Sequence, residues 1–600
     1  MTKALSVIRR EAGRAVAAPT SIEIDQNIAR ILSERVAENN RLAFARNFAY
    51  AAVNACWNAR GVRASLGYIE DEPIPVLSSE ATVAAERFGV AVAPLDPVTI
   101  AHLIGTVYTT ALPATFRAAH GIFYTPPAIV ERLLDMAEDA GVDWTKARVL
   151  DPACGGGAFL VAITARILRS LEGTDPSFVI QQLTTRLRGF EIDPFGTWLG
   201  QSMVKLSLAN NGQLAGQRFP SLIETRDSLD LRCEDYAGFD LVIGNPPYSR
   251  VTLAPDLRSR FARSVYGHAN LYGLFTDAAI NWARSGGVIA YVTPTSMLSG
   301  LYFKSLRNLL AHEAPPNALN FINEREGVFA DVLQETMLAT YRRNGIAKGP
   351  SVGFIKGSGE FMKKRKPEVF ALPRRADAPW LLPRSPDQSM LARRLWSMPH
   401  RLADYGYEVS TGPLVWNRHK AQLQATAVAG ALPVIWAESV TSQGKFVWRS
   451  EKRNHAPWFV PRKLKDDWLV VDRPCVLLQR TTAKEQPRRL IAAELPKSFI
   501  RKHKGVTVEN HVNMIRAATP KPKVSPAVIV ALLNSAAVDA AFRCINGSVA
   551  VSAFELEELP LPAPAMMLKL TELVASNANP RKIEHVISCA YRVVDAASAR

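Results

Sequence analysis

Apolar positions change their period twice along this chain, and the changes divide it. From Ile24 through Ile28, Ile31, Leu32 and Val36 to Phe44, Phe48 and Val53, they recur every three or four residues. That period predicts amphipathic helices across an N-terminal region, residues 1–115. Between 116 and 345, short apolar runs alternate with amphipathic stretches. The runs predict strands at Arg148–Pro152, Leu187–Ile192, Ser221–Thr225, Asp240–Gly244, Gly287–Thr293, Ala318–Asn323 and Thr336–Arg342. Helices such as Ala158–Leu171 and Leu271–Arg284 fall between them, so the expected fold is α/β, a doubly wound parallel sheet. The short link into Thr336–Arg342 predicts an antiparallel last strand. Residues 346–400, with Lys363-Lys-Arg-Lys366 among Gly and Pro, read as a basic linker. From 401 to 600, short strands ending in Trp (Leu414-Val-Trp416, Val434-Ile-Trp436, Phe446-Val-Trp448) give way to helices, which predicts a mixed α+β domain.

Composition narrows the class. A length of 600 residues accommodates two or three domains with ample core. Hydrophobic content of 48% and a mean hydropathy of −0.01 suit a soluble globular protein. No apolar run approaches the roughly 20 residues of a membrane helix, so no membrane association is expected. The basic, alanine-rich Met1–Thr20 lacks the apolar core of a secretory signal. Cys56, Cys154, Cys233, Cys475, Cys544 and Cys589 form no Cys-x-x-Cys pair. That spacing points to a reducing cytoplasm and argues against structural zinc or a disulfide framework.

Charge is segregated. Residues 341–523 hold 35 Lys+Arg against 14 Asp+Glu, a net +21, whereas the rest of the chain is slightly acidic. A segment that basic is an electrostatic footprint for a polyanion, with nucleic acid the default.

Candidate chemistry gathers at predicted strand ends. Asp151-Pro-Ala-Cys-Gly155-Gly-Gly157 follows the first strand and opens a helix, so its backbone amides can approach a ligand. It matches neither the Walker nor the dinucleotide glycine pattern, and an acidic residue before the glycines suits an ammonium rather than a phosphate. Glu191 ends the second strand, where a carboxylate can accept both hydroxyls of a ribose, and Asp227 follows the third, able to accept from an adenine amine. Either alone reads as a helix N-cap. After the fourth strand stands Asn245-Pro246-Pro247-Tyr248. Its prolines fix φ and remove two N–H donors, leaving the Asn245 amide oxygen, the Pro246 carbonyl and the Tyr248 ring to project. Two acceptors beside a flat ring suit a planar group with an exocyclic amine, either a nucleobase or a carboxamide.

With Phe123-Tyr-Thr-Pro-Pro127 preceding them, these elements resemble S-adenosylmethionine-dependent DNA adenine-N6 methyltransferases of the gamma arrangement, the modification enzymes of type II restriction-modification systems. The resemblance covers about 120–345; Val409–Trp416, Gln479–Thr482 and Glu509-Asn-His511 are more weakly similar to the recognition domains of such enzymes. It implies a Rossmann-like methyltransferase sheet and a C-terminal target-recognition domain. It also implies S-adenosylmethionine as cofactor, double-stranded DNA as partner and a cytoplasmic, nucleoid-associated location. A companion restriction endonuclease stays open, and the oligomeric state is not read.

By resemblance, Tyr124, Thr125 and Pro126 border the methionine part of the cofactor. Asp151, Ala153 and Gly155 hold its amino acid end, Glu191 its ribose and Asp227 its adenine. Asn245, Pro246, Pro247 and Tyr248 are catalytic, with Tyr248 and Phe329 stacking on a target base flipped out of the duplex. Gln479, Arg480, Lys484 and Arg488 are groove-contact candidates, since Arg and Gln suit guanine and adenine edges. No metal is expected. An RNA adenine or a protein glutamine fits the same clamp. A fused nuclease is disfavoured because no Lys has Asp or Glu two residues before it. A regulator with a silent fold is disfavoured by the intact clamp.

Overall fold

The computed structural model describes all residues except 1–20, 63–65, 67–76, 121–123, 215–216, 232–235, 323–334, 357, 359–366, 482–487, 547–549 and 593–600. Phe329 and Lys484 therefore lie outside the described residues. Two compact units emerge: Met1–Pro294 with Asn308–Val369, and Thr295–Arg307 with Phe370–Arg600.

The first unit is built on a nine-stranded sheet. Its strands are β1 (Val149–Asp151), β2 (Leu187–Glu191), β3 (Ile223–Thr225), β4 (Phe239–Gly244), β5 (Ala283–Pro294), β6 (Pro316–Ile322), β7 (Thr336–Arg342), β8 (Ser351–Ile355) and β9 (Glu368–Val369). They are ordered β9-β8-β6-β7-β5-β4-β1-β2-β3. The block β3-β2-β1-β4-β5 is parallel throughout. β7 runs antiparallel to both β5 and β6, as its short approach predicts. Within the stretch read as a basic linker, β8 pairs parallel with β6. The predicted helix Leu271–Arg284 stops at Trp282, because Ala283 and Arg284 already belong to β5.

Three helices of this unit start by one repeated device. Asp96-Pro97, Asp175-Pro176 and Asp193-Pro194 each place a carboxylate at the N-cap and a proline at the first helical position. The carboxylate satisfies orphan amide donors, and the proline loses only an N–H that has no helical partner. The N-terminal helices Arg41–Ala59 and Pro97–Ala111 share one apolar core with β1, β4 and β5, through Phe48, Val53, Ile100 and Ile104.

The second unit contains two small sheets. One joins β10 (Tyr407–Thr411), β17 (Val512–Ala517), β14 (Cys475–Gln479) and β15 (Ala492–Glu494); the other joins β11 (Leu423–Gln424), β13 (Trp458–Phe459), β12 (Leu432–Ile435) and β16 (Thr507–Val508). Arg307 is fully buried here and donates to the carbonyls of Met297 at 3.0 Å, Gly300 at 2.8 Å, Asp377 at 2.8 Å and Ala378 at 3.1 Å. That ring of acceptors meets the requirement that a buried cation be hydrogen-bonded. Among the described residues no single helix is long and apolar enough to cross a membrane. A bent pair, Pro526–Leu533 and Ala536–Arg543, passes on length and composition, but its Val528, Ile529, Leu532, Leu533, Val538 and Phe542 are buried within the unit.

Candidate active site

Because β1 to β4 are parallel, their carboxyl ends share one edge, where open α/β sheets bind ligands. That edge carries Asp151, Glu191, Asp227 and Asn245. The connecting loops are knitted by their backbones: Cys154 N donates to Phe190 O at 3.0 Å and Arg226 N to Glu191 O at 2.8 Å.

Asp151 is 1% exposed. One carboxylate oxygen accepts from Ala153 N at 3.2 Å, while the other is buried without a hydrogen-bond partner among the described residues. Burial pushes its carboxyl up to about 8; the Ala153 N–H opposes that shift and the Glu191 carboxylate adds to it. An orphaned buried carboxylate oxygen is a vacancy for a donor, and an ammonium group is the donor that would keep the carboxylate ionised. Gly244 lies so close that a Cβ there would fall 2.7 Å from an Asp151 oxygen, so β4 must end on glycine. On the neighbouring strand Tyr291, paired with Gly244, keeps a buried hydroxyl without a partner among the described residues, and Asp151 helps burial hold its phenol above the usual value.

Gly155 and Gly157 adopt φ of +50° and +84°, conformations that L side chains disfavour. Gly155 N donates to Glu191 Oε2 at 2.8 Å, and Asp193 N donates to Glu191 Oε1 at 2.9 Å. Glu191 thus pins the glycine loop to the end of β2, and burial raises its pKa. Each carboxylate oxygen keeps a second lone pair for a ligand. Asp227 caps a short turn by accepting from Leu229 N at 2.8 Å, which is the N-cap arrangement. The next residue, Ser228, donates to Pro152 O at 2.5 Å and ties this turn to the first loop.

Tyr124-Thr125-Pro126 joins the two halves of the edge. The Tyr124 hydroxyl donates to Gly156 O at 2.6 Å, and burial raises its pKa. Its ring lies against Gly105, where a Cβ would come within 1.9 Å of it. Pro126 is the N-cap of the helix Pro127–Asp139. Thr125, 4% exposed, accepts from Asn245 Nδ2 at 3.1 Å. Asn245 Oδ1 in turn accepts from the Tyr248 hydroxyl at 2.7 Å, and Tyr248 packs edge-on to Tyr272 with ring centres 5.9 Å apart. Burial holds the Tyr248 phenol protonated. Pro246 is buried and Pro247 half-buried. The Asn245 amide is therefore oriented from both ends, its oxygen already meeting one donor of the loop itself.

The sequence reading had no signal for the N-terminal contribution. Arg46, in the helix Arg41–Ala59, pairs with Asp193 at 2.8 Å just after Glu191, and Gly105 makes room for Tyr124.

The groove-contact candidates of the second unit are placed differently. Gln479 Nε2 donates to Val440 O at 2.7 Å and Ala437 O at 3.3 Å, Arg480 Nη1 to Asn510 O at 3.1 Å, and Arg488 to Asn534 O at 2.5 Å and Ser442 O at 3.0 Å. Each binds its own unit's backbone. Glu509, 1% exposed, holds the exposed His511 ring at 2.8 Å. No group of three His, Cys, Asp or Glu able to hold a metal occurs among the described residues.

Residues 202–329 match the Eco57I restriction-modification methylase family model. The type II methyltransferase M.BsuBI of Bacillus subtilis is 23% identical over 470 residues, covering 76% of this chain and 90% of that protein. The type II methyltransferase M.PstI of Providencia stuartii is 26% identical over 350 residues, covering 55% and 67%. In fold, the chain is similar to the type IIL restriction-modification enzyme MmeI solved in complex with DNA, with a TM-score of 0.52 and 14% identity over 100% of this chain and 96% of that one.

Proposed function

We propose that this chain, which carries an Eco57I restriction-modification methylase domain, is the DNA methyltransferase of a restriction-modification system and modifies the N6 amine of adenine. The observation that carries the reading is the bridging role of one tripeptide: Tyr124 secures the glycine loop through Gly156, and Thr125 orients Asn245. A site for a methyl donor and a clamp for an amine are thereby held on one sheet edge.

S-adenosylmethionine fits the donor side. The Asp151 oxygen that has no partner among the described residues suits its ammonium, with Ala153 and Gly155 beside it, Glu191 toward the ribose and Asp227 toward the adenine. Tyr124, Thr125 and Pro126 border the methionine portion. When bound, this cofactor supplies an electrophilic methyl group on a positively charged sulfur.

The remaining work falls to the chain's own residues. Asn245 Oδ1 and the Pro246 carbonyl accept the two amine protons, which draws the nitrogen lone pair out of ring conjugation and aims it at the methyl. A carbonyl oxygen has two lone pairs, so Asn245 can receive the amine beside the Tyr248 hydroxyl. Pro247 keeps the loop rigid, and Tyr248, with Phe329, offers the flipped base an aromatic face worth roughly 1–3 kcal/mol. Positioning and electrostatics then carry most of the rate, without a metal or strong general base.

In this reading residues 1–115 are a helical region, 116–345 carry catalysis and 401–600 target recognition, with duplex DNA in the cytoplasm as substrate; the basic stretch 346–400 is more than a connection, since β8 and β9 within it extend the catalytic sheet. The net +21 of residues 341–523 favours DNA over a protein glutamine. Expression in a host lacking adenine methylation, followed by long-read modification sequencing, is expected to reveal methyl-adenine at one short motif. Unmodified DNA together with methylated RNA or glutamine would overturn the reading.

A further inference from the structure

Pro461-Arg-Lys-Leu-Lys-Asp-Asp-Trp468 forms a turn in the second unit that the site above does not use. Leu464 stands at its tip, 82% exposed, with φ of +68°. A branched side chain is strained in that region, and a position serving only as a turn favours Gly or Asn. Strain of this kind persists where the surroundings over-determine it. Here they do. Asp466, 1% exposed, accepts from Arg462 N at 2.7 Å, Arg462 Nε at 3.0 Å, Arg462 Nη2 at 2.9 Å and Gln422 Nε2 at 2.7 Å. The N–H groups of Lys465 and Asp466 return to Arg462 O at 3.2 and 3.0 Å. Lys463 and Lys465 flank the leucine and are exposed, and Trp468 follows at 64% exposure.

We propose that this turn is a DNA wedge, with Leu464 entering between stacked base pairs while Lys463 and Lys465 neutralise the phosphates on either side. The proposal rests on the reading of the chain as a duplex-binding methyltransferase. Its chemistry is matched position by position. An apolar tip on a rigid support meets base faces, where a flexible loop would only fold aside, and cations one residue away meet the backbone. A protein partner would call for a wider, contiguous apolar patch than Leu464 and Trp468, which Lys465 and Asp467 separate along the turn.

The test uses the full chain and a duplex carrying its modified motif, labelled for measurement of bending by energy transfer. Leu464→Gly relieves the strained φ, so its melting temperature should equal or exceed the wild-type value, while bending is lost and methylation of the intact duplex falls about 10-fold. The slope of log Kd against log salt should not change. The double variant Lys463→Ala, Lys465→Ala should lower that slope by about 1.8, near 0.9 per phosphate contact. Wild-type bending and methylation in Leu464→Gly would overturn the wedge. So would a parallel loss of activity and melting temperature, which would make Leu464 a packing residue, or intact bending with loss of a bound companion protein. Failure of the wild-type chain to bind any duplex would instead overturn the underlying reading, and the wedge with it.

Discussion

The sheet edge of the first unit and the recognition candidates of the second treat polar side chains in opposite ways. At the edge, Asp151, Glu191, Asp227 and Asn245 come from four separate strands and converge, and Asp151 keeps an oxygen with no partner among the described residues. In the second unit, Gln479 donates to the carbonyls of Val440 and Ala437 and Arg488 to those of Asn534 and Ser442, while exposed cationic character lies on turns such as 462–465. Parallel strands deliver their ends to a common line whatever the side chains do; a side chain on an irregular surface goes wherever the nearest unpaired carbonyl draws it.

The contrast can be broken most sharply at Asn245. Asn245→Ala should lower methyl transfer by about 10³-fold or more, on the scale of losing a preorganised polar group, while calorimetric cofactor affinity stays near wild type. A parallel loss of cofactor binding would mean that Asn245 belongs to the donor side.

Thr125 comes next. Thr125→Val removes the acceptor for Asn245 Nδ2. Leaving that half-buried donor unpaired costs about 1–3 kcal/mol, so kcat should fall about 10- to 100-fold with KM for DNA nearly unchanged. Thr125→Ser should recover most of the loss, as a purely structural role for the methyl group would not allow.

Asp151 sharpens the comparison through pH. Its folded pKa, about 8, lies above the ordinary 3.8, so the native state binds the extra proton. Stability from this group is present at low pH and is lost as pH rises from about 4 to about 8. Without cofactor, the melting temperature of the wild type should fall relative to Asp151→Asn across that window. Added S-adenosylmethionine should reverse the trend by keeping the carboxylate ionised. A flat difference would show that the carboxyl is not buried neutral.

The smallest effect is expected at Gln479. Gln479→Ala should cost about 1 kcal/mol of stability, the scale of a side-chain hydrogen bond, and leave the salt slope of DNA binding unchanged. A change in sequence preference would return it to the recognition surface.

Much of the first unit was legible because its strands are apolar runs bounded by breakers. The seven predicted strands all occur, and β7 is antiparallel. β8 was not foreseen, since Ser351–Ile355 is five residues among glycines and lysines and becomes a strand only by pairing with β6. The carboxylates could be nominated because strand ends have a known direction. The Thr125–Asn245 bond could not, because it links residues 120 apart in the chain. Nor could the fit of Tyr124 against Gly105.

By itself, then, the sequence determined which residue types stand at the ends of which strands, and where the positive charge collects. Period, breakers and composition are local properties, and local properties survive reading in one dimension. Tertiary structure alone decided that Asp151 keeps an oxygen unpaired among the described residues, that Thr125 turns the Asn245 amide, that Gln479 faces inward and that a strained leucine stands out on a basic turn. Each depends on which distant group arrives to satisfy a donor or acceptor, and burial makes that match obligatory.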